Sequence, residues 1–240
     1  MKWNLGLAVT TPIALALALA GCGSEAPVAA PSASAGVDAA PLPVVTGAEQ
    51  RIVALGDSLF AGYGLEPGQS YPAKLEAALR ERGINAKIMN AGVSGNTTAD
   101  GLQRLDFTLN SNASPPALVL ISLGGNDMLR GLPPEQTRAN LDAILAKLKE
   151  RKVPAVLMGM VAAPNLGADY AGKFNPIYPA LAKKYDAALV PFFLQPLLDK
   201  PDLVQADRIH PTAPGVDLMV RDTVDAVAKA LPEAKGPSAP

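Results

Sequence analysis

Between about residue 50 and residue 230 the chain alternates short apolar blocks with longer stretches of helical periodicity. Ile52 to Leu55, Ala117 to Leu123 and Ala155 to Met160 are dominated by aliphatic residues. Runs this short, with no polar alternation, predict strands buried on both faces. Ala86 to Asn90 and Ala188 to Val190 predict two more strands. Between them, apolar positions recur at helical spacing. A helix is expected from Ser70 to Gly83, with Ser70 at its cap, Pro72 in its first turn and Gly83 just past its end. Others are expected over Asn96 to Asn110, Pro134 to Arg151, about 176 to 185, and Ala213 to Leu231. Gly62 to Gln69 and Val161 to Lys173 read as loops. Strands alternating with helices predict a parallel sheet with right-handed crossovers. The result is a three-layer α/β/α sandwich around five parallel strands.

The two ends of the chain have a different texture. Lys2 is followed by an uncharged apolar run from Leu5 to Ala20, interrupted by Pro12. That is shorter than the roughly 20 residues a spanning helix wants, and it predicts a cleaved signal peptide over residues 1–21. The run ends in Leu19-Ala20-Gly21-Cys22, which resembles the bacterial lipobox. Cys22 is therefore the expected lipidation site, and a multiply acylated cysteine would anchor the chain stably to a membrane. Residues 22–48 are rich in Ala, Pro and Ser and predict a linker. The folded domain is expected over 49–231 and a polar tail over 232–240. Together these predict a bacterial envelope lipoprotein facing the periplasm.

Composition narrows the chemistry. The chain has 240 residues, a net charge of −1 and a pI near 5.9. No basic patch is evident, so nucleic acid is not an expected partner. A single cysteine excludes an intrachain disulfide, and a single histidine, His210, excludes a multi-histidine metal site. No metal or cofactor is expected, and a monomer is.

The candidate chemistry begins where the first strand stops, at Gly56-Asp57-Ser58-Leu59. The carboxyl edge of an open parallel sheet is where ligands bind, and a serine fixed there is placed to be a nucleophile. Two other strand-end loops share that edge: Ala91-Gly92-Val93-Ser94-Gly95 and Gly124-Gly125-Asn126-Asp127. The Ser58 N–H, the Gly92 N–H and the Asn126 amide are the expected oxyanion donors. His210, in Asp207-Arg208-Ile209-His210-Pro211, is the one available base, with Asp207 to orient it. Asp57 and Asp127 are expected to be structural. Gly62 and Gly64 do not form a dinucleotide-binding turn.

These four blocks, in order, resemble the SGNH, or GDSL-type, hydrolase family. Further segments, Leu123 to Gly131, Ile-Tyr-Pro at 177–179, Pro-Phe-Phe at 191–193 and Ile-His-Pro at 209–211, resemble its bacterial thioesterase, lysophospholipase and arylesterase branch. The resemblance covers nearly all of residues 51 to 230. It implies a flavodoxin-like fold and a serine esterase using Ser58, Asp207 and His210. The substrate would be a small acyl ester, a thioester or a lysophospholipid. By the same analogy Met128, Leu129, Leu132 and Leu166 would form an apolar acyl groove. The lipobox departs from that branch, whose thioesterase is soluble in the periplasm. A carbohydrate deacetylase on the same fold, or a non-catalytic lipid- or glycan-binding lipoprotein, are the alternatives.

Overall fold

In a computed structural model of the chain, residues 42–111 and 114–233 are described, and all of them fall in one compact unit. The expected leader, Cys22 and most of the expected linker and tail lie outside the described residues. The first strand, β1 (Gln50–Gly56), has Ile52 to Leu55 fully buried. The other strands are β2 (Ala86–Gly92), β3 (Leu118–Ser122), β4 (Ala155–Met158) and β5 (Ala188–Val190). All pair in parallel in the order β2-β1-β3-β4-β5. The continuous apolar runs are the inner strands β1, β3 and β4, covered on both faces. β2 and β5 lie at the edges and are partly exposed.

The chain runs outward from β1 to β2, then crosses back to β3. Between β1 and β3 the winding direction reverses, which opens a crevice at the carboxyl ends of these two strands. In register there, Gly56 faces Gly92 on one side and Ser122 on the other.

Among the described residues eight α-helices complete the fold: α1 (Ser58–Ala61), α2 (Tyr71–Glu81), α3 (Thr98–Asn110), α4 (Gly125–Leu129), α5 (Pro134–Glu150), α6 (Gly167–Phe174), α7 (Ile177–Tyr185) and α8 (Ala213–Ala230). α2 packs on α8, while α3, α5 and α7 pack side by side as a second layer. A capping box, Thr97 with Asp100, starts α3. Prolines open α2, α5 and α8.

Three helices were not expected. α1 and α4 are single turns in Gly- and Asp-rich segments that read as turns. α6 occupies part of the expected loop after β4. Its Tyr170 and Phe174, four apart, stack at 5.6 Å, and Phe174 meets Tyr178 of α7 edge-on at 5.9 Å. The end of the expected linker is also held. Arg80 Nε donates to Pro43 O at 2.9 Å and Asn85 Nδ2 to Gly47 O at 2.9 Å. Both contacts lie at the amino edge of the sheet, away from the crevice.

Candidate active site

Ser58 is the first residue of α1. Asp57 caps that turn by accepting from Leu59 N at 3.1 Å, and its own N–H donates to Ser122 O on β3 at 3.1 Å. The helix lies directly on the sheet. A Cβ on Gly56 would come within 2.6 Å of the Phe60 ring. Beneath α1, Phe60 stacks on Tyr71 at 5.4 Å, Phe193 meets Tyr71 edge-on at 4.8 Å, and Tyr71 Oη lies 2.7 Å from Thr223 Oγ1 of α8.

His210 Nε2 lies 2.7 Å from Ser58 Oγ, and His210 Nδ1 lies 2.6 Å from Asp207 Oδ2. Asp207 Oδ1 accepts from the backbone N–H groups of Ile209 at 2.9 Å and His210 at 3.0 Å. Its carboxyl is lowered to about 2, chiefly by the bond to His210, helped by the two backbone donors. It therefore stays ionised throughout the working pH range, with Arg208 in the left-handed region at φ 60° completing the tight loop. The loop is braced by an antiparallel bridge between Val204 and Pro211. Gln205 adds to it: its N–H donates to His210 O at 2.8 Å, and its Nε2 donates to Pro211 O and Tyr63 O, each at 2.8 Å. The Tyr63 ring lies 4.5 Å from the imidazole. Ser58, Asp207 and His210 are thus assembled as one hydrogen-bonded chain.

The expected oxyanion set needs a correction. The Gly92 N–H is already donated to Asn90 Oδ1 at 2.9 Å. Gly92 is needed for another reason: a Cβ there would lie 2.3 Å from Ala61 N of α1. Three residues on, Gly95 adopts φ 82°, and its N–H has no hydrogen-bond partner among the described residues. Gly95 adjoins Asn126, whose Nδ2 donates to Asn96 O at 3.0 Å and more distantly to Asp57 Oδ2 at 3.4 Å. Arg130 Nη2 holds Gly95 O at 2.7 Å. Arg104 Nε holds Asn96 Oδ1 at 2.8 Å, while its Nη2 reaches Gly56 O at 2.8 Å. Two arginines and Asn126 thus pin the loop that carries Gly95.

Residues 54–218 match the GDSL-like Lipase/Acylhydrolase family. The chain is a GDSL-like acylhydrolase. It is 40% identical over 164 residues to an arylesterase of Vibrio mimicus, covering 68% of this chain and 81% of that one. It is 39% identical to the Thioesterase 1/protease 1/lysophospholipase L1 of Escherichia coli K12, covering 68% and 76%. Among solved structures, AlinE4, an SGNH-hydrolase family esterase, is 61% identical with a TM-score of 0.67, over 78% of this chain and 99% of that one. AlinE4 has also been solved with alanine replacing a serine and, separately, an aspartate 149 residues further on. The acylhydrolase is accordingly an enzyme, a serine hydrolase of ester bonds.

The groove residues are gathered near one another. Met128 Sδ accepts from Ala163 N at 3.3 Å, Tyr170 Oη donates to Leu132 O at 3.1 Å, Leu129 is exposed, and Leu166 closes a 3-10 turn. A separate cavity of about 490 Å³ follows β5, walled by Phe192, Leu194, Leu197, Leu198, Val204 and Ile209 together with Asp199, Lys200 and Arg208, and neither Ser58 nor His210 lines it. Sequence reasoning missed Gly95, Arg104 and Arg130. Arg104 carried a signal: it falls on the inward stripe of α3 beside the buried Gly101, Leu105 and Thr108, where an arginine needs partners. Asp127 is structural as expected. It is buried and accepts from Thr98 N, Thr98 Oγ1 and Thr137 Oγ1. Among the described residues no cluster of His, Cys, Asp and Glu is placed to hold a metal.

Asp57 is structural too, but it is charged at a cost. Burial raises its carboxyl to about 6, against the Leu59 N–H and His210, which lower it. Between about pH 4 and pH 6 the folded state keeps a proton that the unfolded chain has released. Stability therefore falls as pH rises through that window, by up to about 3 kcal/mol. Asp57→Asn should flatten this slope. Urea midpoints for both proteins from pH 4 to pH 7 check it, and parallel curves would show that Asp57 does not titrate there.

Proposed function

We propose that this acylhydrolase cleaves small acyl esters and thioesters, lysophospholipids included, through an acyl-enzyme on Ser58. The observation that carries the reading is the unbroken chain from Ser58 Oγ through the imidazole to the ionised Asp207. Ser58 and Asp207 are 149 residues apart, the same interval as the serine and aspartate replaced in AlinE4.

His210 Nε2 takes the Ser58 proton as Oγ attacks the acyl carbonyl. Asp207 holds the other ring nitrogen and stabilises the imidazolium. The oxyanion is met by the Ser58 N–H, which has no intrahelical partner at the start of α1, by the Gly95 N–H and by Asn126 Nδ2. The Asp57 contact of that amide, at 3.4 Å, sits at the outer limit of a hydrogen bond, so its proton can turn to a developing oxyanion. Imidazolium then protonates the leaving alcohol or thiol, and water repeats the cycle on the acyl-enzyme. Met128, Leu129, Leu132 and Leu166, gathered where α4 meets the segment after β4, form the apolar groove that takes the acyl chain. Such side chains favour a hydrocarbon tail over the polar ring of an acetylated sugar. The enzyme works as a monomer tethered through lipidated Cys22 in the cell envelope, facing the periplasm.

Three tests follow from this. Ser58→Ala and His210→Ala should each remove nearly all turnover of a nitrophenyl ester, with the double variant little worse, because the residues act as a unit. A fluorophosphonate that labelled another serine would sink the assignment. Asn126→Ala should lower kcat by about 10² to 10³ with little change in KM, since its donor acts on the transition state. A near-normal kcat with a lowered Tm would make Asn126 a brace only. Cys22→Ser should move the enzyme out of the membrane fraction with full esterase activity, whereas wild-type enzyme found soluble with an unmodified Cys22 would remove the anchor.

A further inference from the structure

Among the described residues, nine large apolar side chains are substantially exposed. Leu42 and Val44 belong to the chain entering the domain, and Phe107 stands alone on α3. The other six sit on the segments that follow the carboxyl ends of the five strands. Tyr63 follows β1, Val93 follows β2, Leu129 lies on α4 after β3, Val161 follows β4, and Leu198 and Ile209 follow β5. Single exposed hydrophobics are ordinary, but a ring of them around one opening marks a contact surface. Three of the six adjoin Ser58 or its base. Tyr63 lies against the imidazole, Ile209 is the neighbour of His210, and Val93 N donates to Gly56 O at 3.0 Å, two residues before the nucleophile.

We propose that the catalytic edge of the sheet seats on a lipid surface, with Tyr63, Val93, Leu129, Val161, Leu198 and Ile209 entering the interface, so that the ester is drawn from the aggregate. This rests on the acyl-ester reading above. The tether favours a lipid surface over a second copy of the chain. The N-terminal segment is clamped at Pro43 and Gly47, on the edge opposite the active site. From Cys22 to Pro43 the chain can extend up to about 70 Å, against a radius of gyration of about 16 Å for a domain this size. The catalytic edge is therefore free to turn back onto the membrane that holds Cys22. The exposed charges of these segments have both signs: Arg130, Lys173, Lys200 and Arg208 against Glu66, Asp169, Asp199, Asp202 and Asp207. Apolar contact, with little help from net charge, must hold the surface, so binding should depend weakly on salt.

The test uses residues 42–240. AlinE4 is covered over 99% of its own length by 78% of this chain, so a protein of this extent folds alone. In a Ser58→Ala background, the domain should float with phosphatidylcholine vesicles and continue to do so at raised salt. Adding Val93→Ser and Val161→Ser should weaken this by about tenfold or more, while Phe107→Ser should leave it unchanged. Three results would each overturn the proposal: no flotation, flotation lost equally in Phe107→Ser, or flotation abolished by salt. Light scattering without lipid tests the other occupant. A dimer dissolved by the two valine substitutions would assign the ring to a second copy. Hydrolysis of soluble nitrophenyl butyrate by the wild-type domain, measured in parallel, separates failure of docking from failure of the esterase reading.

Discussion

The site depends on a packing constraint, the absence of side chains at two glycines under α1. At Gly56 a Cβ would press into the Phe60 ring, and at Gly92 it would enter the backbone of Ala61. Both positions are in register at the ends of β1 and β2. The first turn after β1 can therefore lie flat on two strands, which sets the height of Ser58 relative to the loops from β2 and β3. Interiors packed at crystal density do not absorb an added methyl without moving backbone. The nucleophile is placed by sterics first, and the hydrogen bonds of the site act on a position already fixed.

The sequence made the sheet and the reacting groups legible, for a physical reason. Strands buried on both faces must be continuously apolar, so Ile52 to Leu55 and Leu118 to Ile121 announce themselves. A lone histidine three residues after an aspartate leaves little choice of base. The oxyanion loop was less legible. Ala91-Gly92-Val93-Ser94-Gly95 holds two glycines, and spacing does not say which N–H is spent. That depends on the Asn90 side chain, which takes the Gly92 donor and also binds Phe60 O at 2.8 Å through Nδ2. α1 and α4 escaped because residues that favour turns also favour helix caps.

Two carboxylates near the same imidazole have opposite surroundings. Asp207 is partly open to solvent and takes three hydrogen bonds from its own loop, so it is held as an anion. Asp57 is sealed under α1 with a strong bond to Leu59 N alone and a long contact to Asn126. The first supports the imidazolium. The second carries electrostatic strain in the turn beneath the nucleophile, which fits a brace whose worth is geometric.

The nucleophile and the base lie 152 residues apart in sequence, and the loop carrying the base runs straight into α8. α8 is seated against α2 and reaches the aromatic cluster beneath Ser58 through Thr223. A chain lacking its last helix could pair all five strands and still have no base within reach of Ser58. Activity therefore waits on a base 152 residues beyond the nucleophile. During synthesis the nucleophile emerges well before its base and stays inert until residues 207–210 are in place.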